Sequence, residues 1–295
     1  MKILVYGSLN IDLVFSVDHI ARPGETIASN AMEKNAGGKG ANQAAALAKA
    51  GMPVHMAGKT GRDGEFLLRL LESYGVNTDK VVQYEGATGQ ALIQVDKSGQ
   101  NSIVLYGGGN EAVTTEEIHR TVAGFSAGDI IVLQNEIAHV REIMESAKER
   151  GMRICLNPSP YNEKIETLPL DLADLFFVNE IEGAALAQLP PDTAPAALVD
   201  RLVKRFPKAE IILTAGKDGA WYGRSETRAK GEIVDLPVVD TTGAGDTFTG
   251  YFIAAREKQF SVQDALSLAC KAASIAVSRK GAMQAMPFKD EVFQT

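Results

Sequence analysis

The stretch ANQAAALAKAGMPVHMA, residues 41–57, decides the fold. Its first ten residues carry alanine and leucine at helical spacing, Gly51 offers a left-handed cap, and 54–57 is a short apolar run of strand character. Working outward, the same rhythm recurs along the chain. Strands are predicted at Ile3–Tyr6, 54–57, 130–133, 153–156, 175–178 and Glu210–Thr214, and a second helix at 64–74 that Gly75 stops. Near-continuous apolar character suits strands buried on both faces, so the pattern implies an α/β fold with a central, mainly parallel sheet and right-handed βαβ crossovers. Two stretches break the rhythm: 13–17 leading into 22–25, and 90–96, which pairs across 97–101 with 102–106 in hairpin alternation. They predict a small β flap. From Gly243 onward the sequence reads as two long helices, with Ser261 capping the second, and 189–195 is a proline-rich connection.

Composition narrows the function classes. Of 295 residues, 45% are hydrophobic and 23% charged, ordinary globular values that exclude general disorder. The 30 basic and 37 acidic residues give a net charge of −7, and without a basic footprint nucleic acid is not expected as a partner. Cys155 and Cys270 cannot form a disulfide framework, and the four histidines are scattered without ligand spacing. The apolar start meets Asn10 and Asp12 too soon for a signal segment, and no run of about 18 apolar residues occurs. The expectation is a reduced, cytoplasmic protein with no membrane partner.

Three motifs mislead. Gly58-Lys59-Thr60 ends like a phosphate loop, but the first glycine that loop requires falls on Pro53. Gly124-Phe125-Ser126-Ala127-Gly128 has nucleophile-elbow spacing between a helix and a following strand, the reverse of the order an elbow needs. Gly243-Ala244-Gly245 lacks the third glycine of a dinucleotide fingerprint and lies far from the first βα unit.

The chemistry concentrates in Asp240-Thr241-Thr242-Gly243-Ala244-Gly245-Asp246, placed between the extended run 233–239 and a helix expected to begin near Thr247. Small residues at 243–245 let backbone N–H groups converge at a helix N-terminus and form an anion hole. Asp246 beside it is placed to take a proton from an attacking hydroxyl, although an Asp N-cap after a glycine turn explains the segment equally well. Gly37-Gly38-Lys39-Gly40-Ala41-Asn42 is a second glycine turn opening a helix, with Lys39 and Asn42 as donors for hydroxyls. Asn10 and Asp12 follow the first strand and Glu136 follows the strand at 130–133, the address at which open α/β sheets bind ligands.

Together these segments resemble the ribokinase-like (PfkB) sugar kinases, whose two signature regions match residues 37–64 and 240–252. The resemblance covers essentially the whole chain. It implies a three-layer α/β/α domain over 1–295, with a small β-sheet lid from about 13–36 and 88–107 that often mediates homodimerisation. It implies Asp246 as catalytic base and Gly243, Ala244 and Gly245 as anion hole, with Asn10, Asp12, Gly38, Lys39, Asn42, Glu136 and Asp246 holding the sugar. For ATP the matching residues are Asn179, Glu182, Thr214, Gly216, Lys217, Gly219 and Gly245, with Cys270 where a histidine often lies against adenine. Glu182 would organise Mg²⁺ through water. A monovalent cation, usually K⁺, would sit at Asp240, Thr242, Ala276, Arg279, Gly281 and Ala285, the last replacing a common serine. The activity so implied is phosphoryl transfer from ATP to the 5-hydroxyl of D-ribose. Another kinase of the family, acting on deoxyribose, a nucleoside or a ketose, shares every catalytic residue, and a sugar-binding regulator without catalysis is a third reading.

Overall fold

The structure, a computed structural model, describes residues 1–293; the last two residues of the expected domain lie outside them. The strands are β1 (Ile3–Tyr6), β2 (Asn10–Ser16), β3 (Ala31–Gly37), β4 (Val54–Thr60), β5 (Asn77–Gln83), β6 (Gly89–Val95), β7 (Asn101–Tyr106), β8 (Ile130–Gln134), β9 (Arg153–Asn157), β10 (Leu175–Asn179), β11 (Glu210–Thr214), β12 (Ala220–Arg224) and β13 (Thr227–Gly231). The helices are α1 (Lys39–Lys49), α2 (Glu65–Ser73), α3 (Thr115–Val122), α4 (Val140–Glu149), α5 (Glu180–Ala187), α6 (Pro195–Arg205), α7 (Ala244–Glu257), α8 (Val262–Val277) and α9 (Lys289–Val292).

Nine strands form one sheet in the order β13-β12-β11-β10-β9-β8-β1-β4-β5, parallel from β11 to β5 and antiparallel at the β11-β12-β13 end. Alternation of side chains across the pleat sends successive residues to opposite layers. Ile3, Val5, Ile130 and Val132 pack with α1, α7 and α8, whereas Leu4, Tyr6, Ile131 and Leu133 pack with α3, α4 and α6. The sheet therefore lies between two helical layers.

β1 and β11 have the bounds the sequence predicts, and β8, β9 and β10 run one residue further. Ser261 caps α8 by accepting from Asp264 N at 3.1 Å, as expected. The run 233–239 makes no strand: Val234 N donates to Ser274 Oγ and Val239 N to Val277 O, so the segment is laid along α8.

A second sheet, β3-β2-β6-β7, stands apart. β2 pairs antiparallel with β3 and parallel with β6, and β6 forms the hairpin with β7. Residues 22–25 are a turn outside these strands, closed by Glu25 N donating to Arg22 O. β2 follows β1 after only three residues, so Asn10 and Asp12 ride on the small sheet while remaining close to the exit of β1.

Candidate active site at the carboxyl ends of the central strands

The exits of β1, β8, β9, β10 and β11 point the same way, because parallel strands place all their carboxyl ends on one edge. The beginnings of α1 and α7 meet them there. α1 starts after Gly38, whose φ of 92° and approach to Ser8 O leave no room for a side chain: a Cβ would lie 2.8 Å from that oxygen. Ala41 N donates to Ser8 O and Gly40 N to Ser8 Oγ, which locks the helix start to the exit of β1. Ser8 Oγ in turn donates to Glu136 Oε2 at 2.5 Å, Lys39 N donates to the same oxygen at 3.0 Å, and Lys39 Nζ lies 3.5 Å from Glu136 Oε1. Burial alone would push Lys39 down, but the carboxylates of Glu136 and Asp246 hold its ammonium above the usual range.

α7 begins at Ala244, three residues before the predicted start, and Gly243 is its N-cap with a left-handed φ of 74°. Asp246 is therefore not an N-cap; it stands in the first helical turn and makes no capping bond. Its oxygens are held from α1, Oδ2 by Asn42 Nδ2 and Oδ1 by Gln43 Nε2, both at 2.9 Å. Burial pushes the Asp246 carboxyl up, while Lys39, Gln43 and Asn42 oppose that push. The first amides of a helix have no intrahelical acceptor: Ala244 N makes only a long turn bond of 3.3 Å to Thr241 O, and the space beside Gly245 is open, so the start of α7 faces a cavity of about 190 Å³. Lys39, Asn179, Glu182, Thr214 and Asp246 also line it.

Asp12 stands across from this group. Burial first, then the charge of Glu136, pushes its carboxyl up to about 6, with Lys39 opposing. Its Oδ1 is buried without a protein donor, and so is Asn42 Oδ1. Asn10 Oδ1 accepts from Asn110 Nδ2 at 2.7 Å, and Asn10 and Glu136 border a cavity of about 440 Å³ that opens beside Tyr106 of β7.

On the other side, Thr214, Thr241, Ala244 and Gly245 also line a third cavity of about 310 Å³. Its walls are apolar, with Ile233, Val234, Leu236, Val238, Phe248 and Cys270, and Gly216, Lys217 and Gly219 at its edge. Apolar walls beside a ring of backbone donors suit a flat heteroaromatic group joined to phosphates. Asn179 and Glu182 form a reciprocal cap on α5, with Asn179 Oδ1 accepting from Glu182 N and Glu182 Oε2 accepting from Asn179 N. No described residue donates to the remaining oxygen of Glu182, which leaves a carboxylate oxygen at the phosphate-sized cavity for a hydrated divalent ion. Among the described residues no cluster of three or more His, Cys, Asp or Glu could hold a metal by itself.

Of the residues matched to a cation site, Asp240, Thr242 and Gly281 are in contact. Asp240 Oδ1 accepts from Thr242 N and Oγ1, and Oδ2 accepts from Gly281 N. Partial burial pushes Asp240 up, and these bonds outweigh it and hold it below the usual range. Ala276 O accepts from Arg279 N; the Arg279 guanidinium pairs with Glu291 and leaves only its carbonyl for an ion, and Ala285 is buried with no side-chain donor to offer. The groups these residues have to offer an ion are the Asp240 carboxylate, the Thr242 hydroxyl and backbone carbonyls, an oxygen set that suits a hard cation rather than a soft one.

Sequence reasoning missed Ser8, Gln43, Asn110 and Gln134, all buried. Gln134 Nε2 donates to Gln43 Oε1 at 2.6 Å, which extends the support of Asp246 down to the end of β8. No local signal marks these residues, because each partner is about a hundred residues away in sequence or contacts through α1.

The sequence profile described as pfkB family carbohydrate kinase matches residues 1–289. The chain is 36% identical to the bifunctional ribokinase/ribose-5-phosphate isomerase A of Fructilactobacillus sanfranciscensis over 99% of its own length, and it spans 55% of that longer relative. It is 32% identical to a ribokinase of Staphylococcus aureus over 99% of both chains. Its fold superposes on the Arabidopsis thaliana ribokinase complexed with ribose and ATP with a TM-score of 0.85, at 30% identity, covering 99% of this chain and 97% of that one.

Proposed function

The chain belongs to the pfkB family of carbohydrate kinases, and from that premise we propose that it transfers the γ-phosphoryl group of ATP to the 5-hydroxyl of D-ribose. The observation that carries the reading is the pair of buried acceptors without protein donors, Asp12 Oδ1 and Asn42 Oδ1, beside the held carboxylate of Asp246. A buried acceptor left unpaired costs about 1–3 kcal/mol, and a polyol supplies the missing hydroxyl donors. The Arabidopsis relative, which holds ribose and ATP on the same fold, supports the choice of ligands.

In this mechanism Asn10, Asp12, Lys39, Asn42 and Glu136, with the backbone at Gly38, orient the sugar so that its 5-hydroxyl donates to Asp246. As the new O–P bond forms, that proton passes to the Asp246 carboxylate, the bond from the γ-phosphorus to the β–γ bridging oxygen breaks, and ADP leaves with the electron pair. Amides at Gly243, Ala244 and Gly245 receive the developing charge, and Lys39 balances the anionic cluster around the sugar. Thr214, Gly216, Lys217, Gly219 and Cys270 hold the nucleotide, whose base fills the apolar cavity. Glu182 would hold Mg²⁺ through water, with Asn179 near the phosphates, and the ion would supply charge neutralisation on ATP. The Asp240 carboxylate and carbonyls at Thr242, Ala276, Arg279, Gly281 and Ala285 would hold a K⁺ ion, which would supply positive charge near the anion hole.

The chain acts as one kinase domain in the cytoplasm, where ATP is supplied, and the small sheet closes over the sugar as a lid that excludes water. β7 is an edge strand with Ile103, Val104, Leu105 and Tyr106 all exposed, and a second copy pairing through the lid would cover them. The homodimer is checked by sedimentation: Ile103→Lys with Leu105→Glu is expected to shift a dimer to monomer, and a wild-type monomer at micromolar concentration rules the interface out.

Activity is tested by ADP release with Mg²⁺ across ribose, deoxyribose, fructose, adenosine and uridine, with and without K⁺. Preference for ribose supports the pocket assignment. A nucleoside or deoxyribose preference overturns it and keeps the family chemistry.

A further inference from the structure

Lys49 is a buried cation that the transfer mechanism does not use. It lies in the last turn of α1, only 3% exposed, at the opposite end of the helix from Lys39, Asn42 and Gln43. Among the described residues no carboxylate pairs with it. Instead its Nζ donates to Met283 O at 2.7 Å and Met286 O at 3.0 Å, and it lies 4.2 Å and 4.7 Å from the ring centroids of Tyr74 and Phe288. Carbonyl dipoles and ring faces replace its hydration shell. Taking an ammonium out of water is costly, and burial, helped by the nearby Arg279 guanidinium and opposed by the more distant Glu291 carboxylate, pushes it down to about 8.

The carbonyls it grips belong to the turn that backs the anion hole. Gly281 N of that turn donates to Asp240 Oδ2. Ala282 and Met286 lie 3.3–3.4 Å from where a Cβ of Gly243 would sit, so they wall in the N-cap of α7. Tyr251 of α7 reaches the other end of the turn by donating to Pro287 O at 2.7 Å. Without the ammonium, two buried carbonyls would lose their donor and the wall behind Gly243 would lose its link to α1.

We propose that Lys49 is a positioning residue for phosphoryl transfer, its ammonium fixing the 281–286 turn against Gly243 so that the first amides of α7 keep their aim. α1 then sets both halves of the site, the base through Asn42 and Gln43 at its start and the anion hole through Lys49 at its end. The catalytic part of the inference rests on reading 243–245 as the phosphate cradle; the mechanical part does not.

The test compares wild type with K49M, which keeps the length and removes charge and donors, and K49R, which keeps both. Hydrogen exchange reads the mechanical part. In K49M the amides of 281–287 and of 244–247 are expected to exchange at least about 10-fold faster than in wild type. Steady-state kinetics reads the catalytic part: K49M should lose at least about 10-fold in kcat with the ribose KM within about 2-fold, and K49R should return both readouts to within about 3-fold of wild type. If K49M does not fold, K49Q, uncharged but with one donor, is compared in the same way. Unchanged exchange at 244–247 overturns the inference; so does faster exchange with unchanged kcat, or an arginine variant as slow as the methionine one. If wild type phosphorylates none of the sugars, the proposed function fails, while exchange at 244–247 still decides whether Lys49 holds the helix start.

Discussion

Replacing Asp246 by asparagine separates its chemistry from its contribution to the fold. The substitution keeps size and shape but turns one acceptor oxygen into a donor. In the native site Asn42 Nδ2 and Gln43 Nε2 each donate to one Asp246 oxygen at 2.9 Å, so the new amide group faces one of them donor to donor. Asn42 Oδ1 has no protein donor, and turning that amide over gives the new Nδ2 its acceptor. The Gln43 bond and its link to Gln134 survive. One hydrogen bond is exchanged for another and a desolvated charge disappears, so the fold should change in stability by no more than about 1 kcal/mol. Catalysis cannot be repaired in this way, because a neutral amide does not accept the hydroxyl proton. A positioned base is worth about 10²–10⁴-fold, or about 2.7–5.4 kcal/mol of barrier at about 1.36 kcal/mol per decade. ADP release under saturating ATP and ribose should therefore fall at least about 100-fold in kcat, with thermal unfolding close to wild type. A folded Asp246→Asn enzyme retaining more than about a tenth of wild-type kcat would remove Asp246 from the base role.

Three further outcomes follow from the same geometry. Gln43→Leu removes a donor that opposes the burial-driven rise of Asp246 and strands Gln134 Nε2 in the interior, so the acid limb of kcat/KM should move to higher pH and kcat at neutral pH fall about 10-fold; an unmoved limb in a pH–rate profile would count against the relay. Asp12, whose pKa is about 6 in the fold against an ordinary 3.8, holds a proton between these values that the unfolded chain lacks; its penalty on stability is absent below 3.8 and complete above 6. Asp12→Asn should therefore stabilise the protein at pH 7.5 by on the order of 2 kcal/mol, show no gain at pH 4, and raise the ribose KM at least about 10-fold, checked by denaturant unfolding at both pH values and by kinetics. Gly250 of α7 crosses α1 so closely that a Cβ would lie 2.5 Å from Ala46 Cβ; Gly250→Val should cost about 1–3 kcal/mol and lower Tm by roughly 3–10 °C in calorimetry, and an unchanged Tm would mean that the helices are free to separate.

What the sequence could express was set by where each residue finds its partners. Ile3–Tyr6 and Glu210–Thr214 are legible because strands buried on both faces must be apolar throughout, and no tertiary information is needed to see it. Asn77–Gln83 and Thr227–Gly231 lie at the two edges of the same sheet, largely in solvent, and their polar residues give no strand signal. α7 starts ahead of its predicted position for a related reason: glycine at 243 and 245 reads as a break, yet only Gly243 leaves helical geometry and Gly245 is already inside the first turn. Glycine turns and the carboxylate beside them are local features, so the groups proposed to react can be named from the sequence. The groups that aim them could not. Gln43 meets Gln134 across 91 positions and Asp246 across 203, and Lys49 meets Met283 across 234, contacts that exist only because α1 is pressed between the exit of β1 and α7. A transfer reaction asks the protein chiefly for position and preorganised charge, so most of its catalytic power resides in contacts of this second kind. Substitutions along α1 that leave Asp246 and the glycines untouched should therefore reach kcat as surely as substitutions in the motif itself.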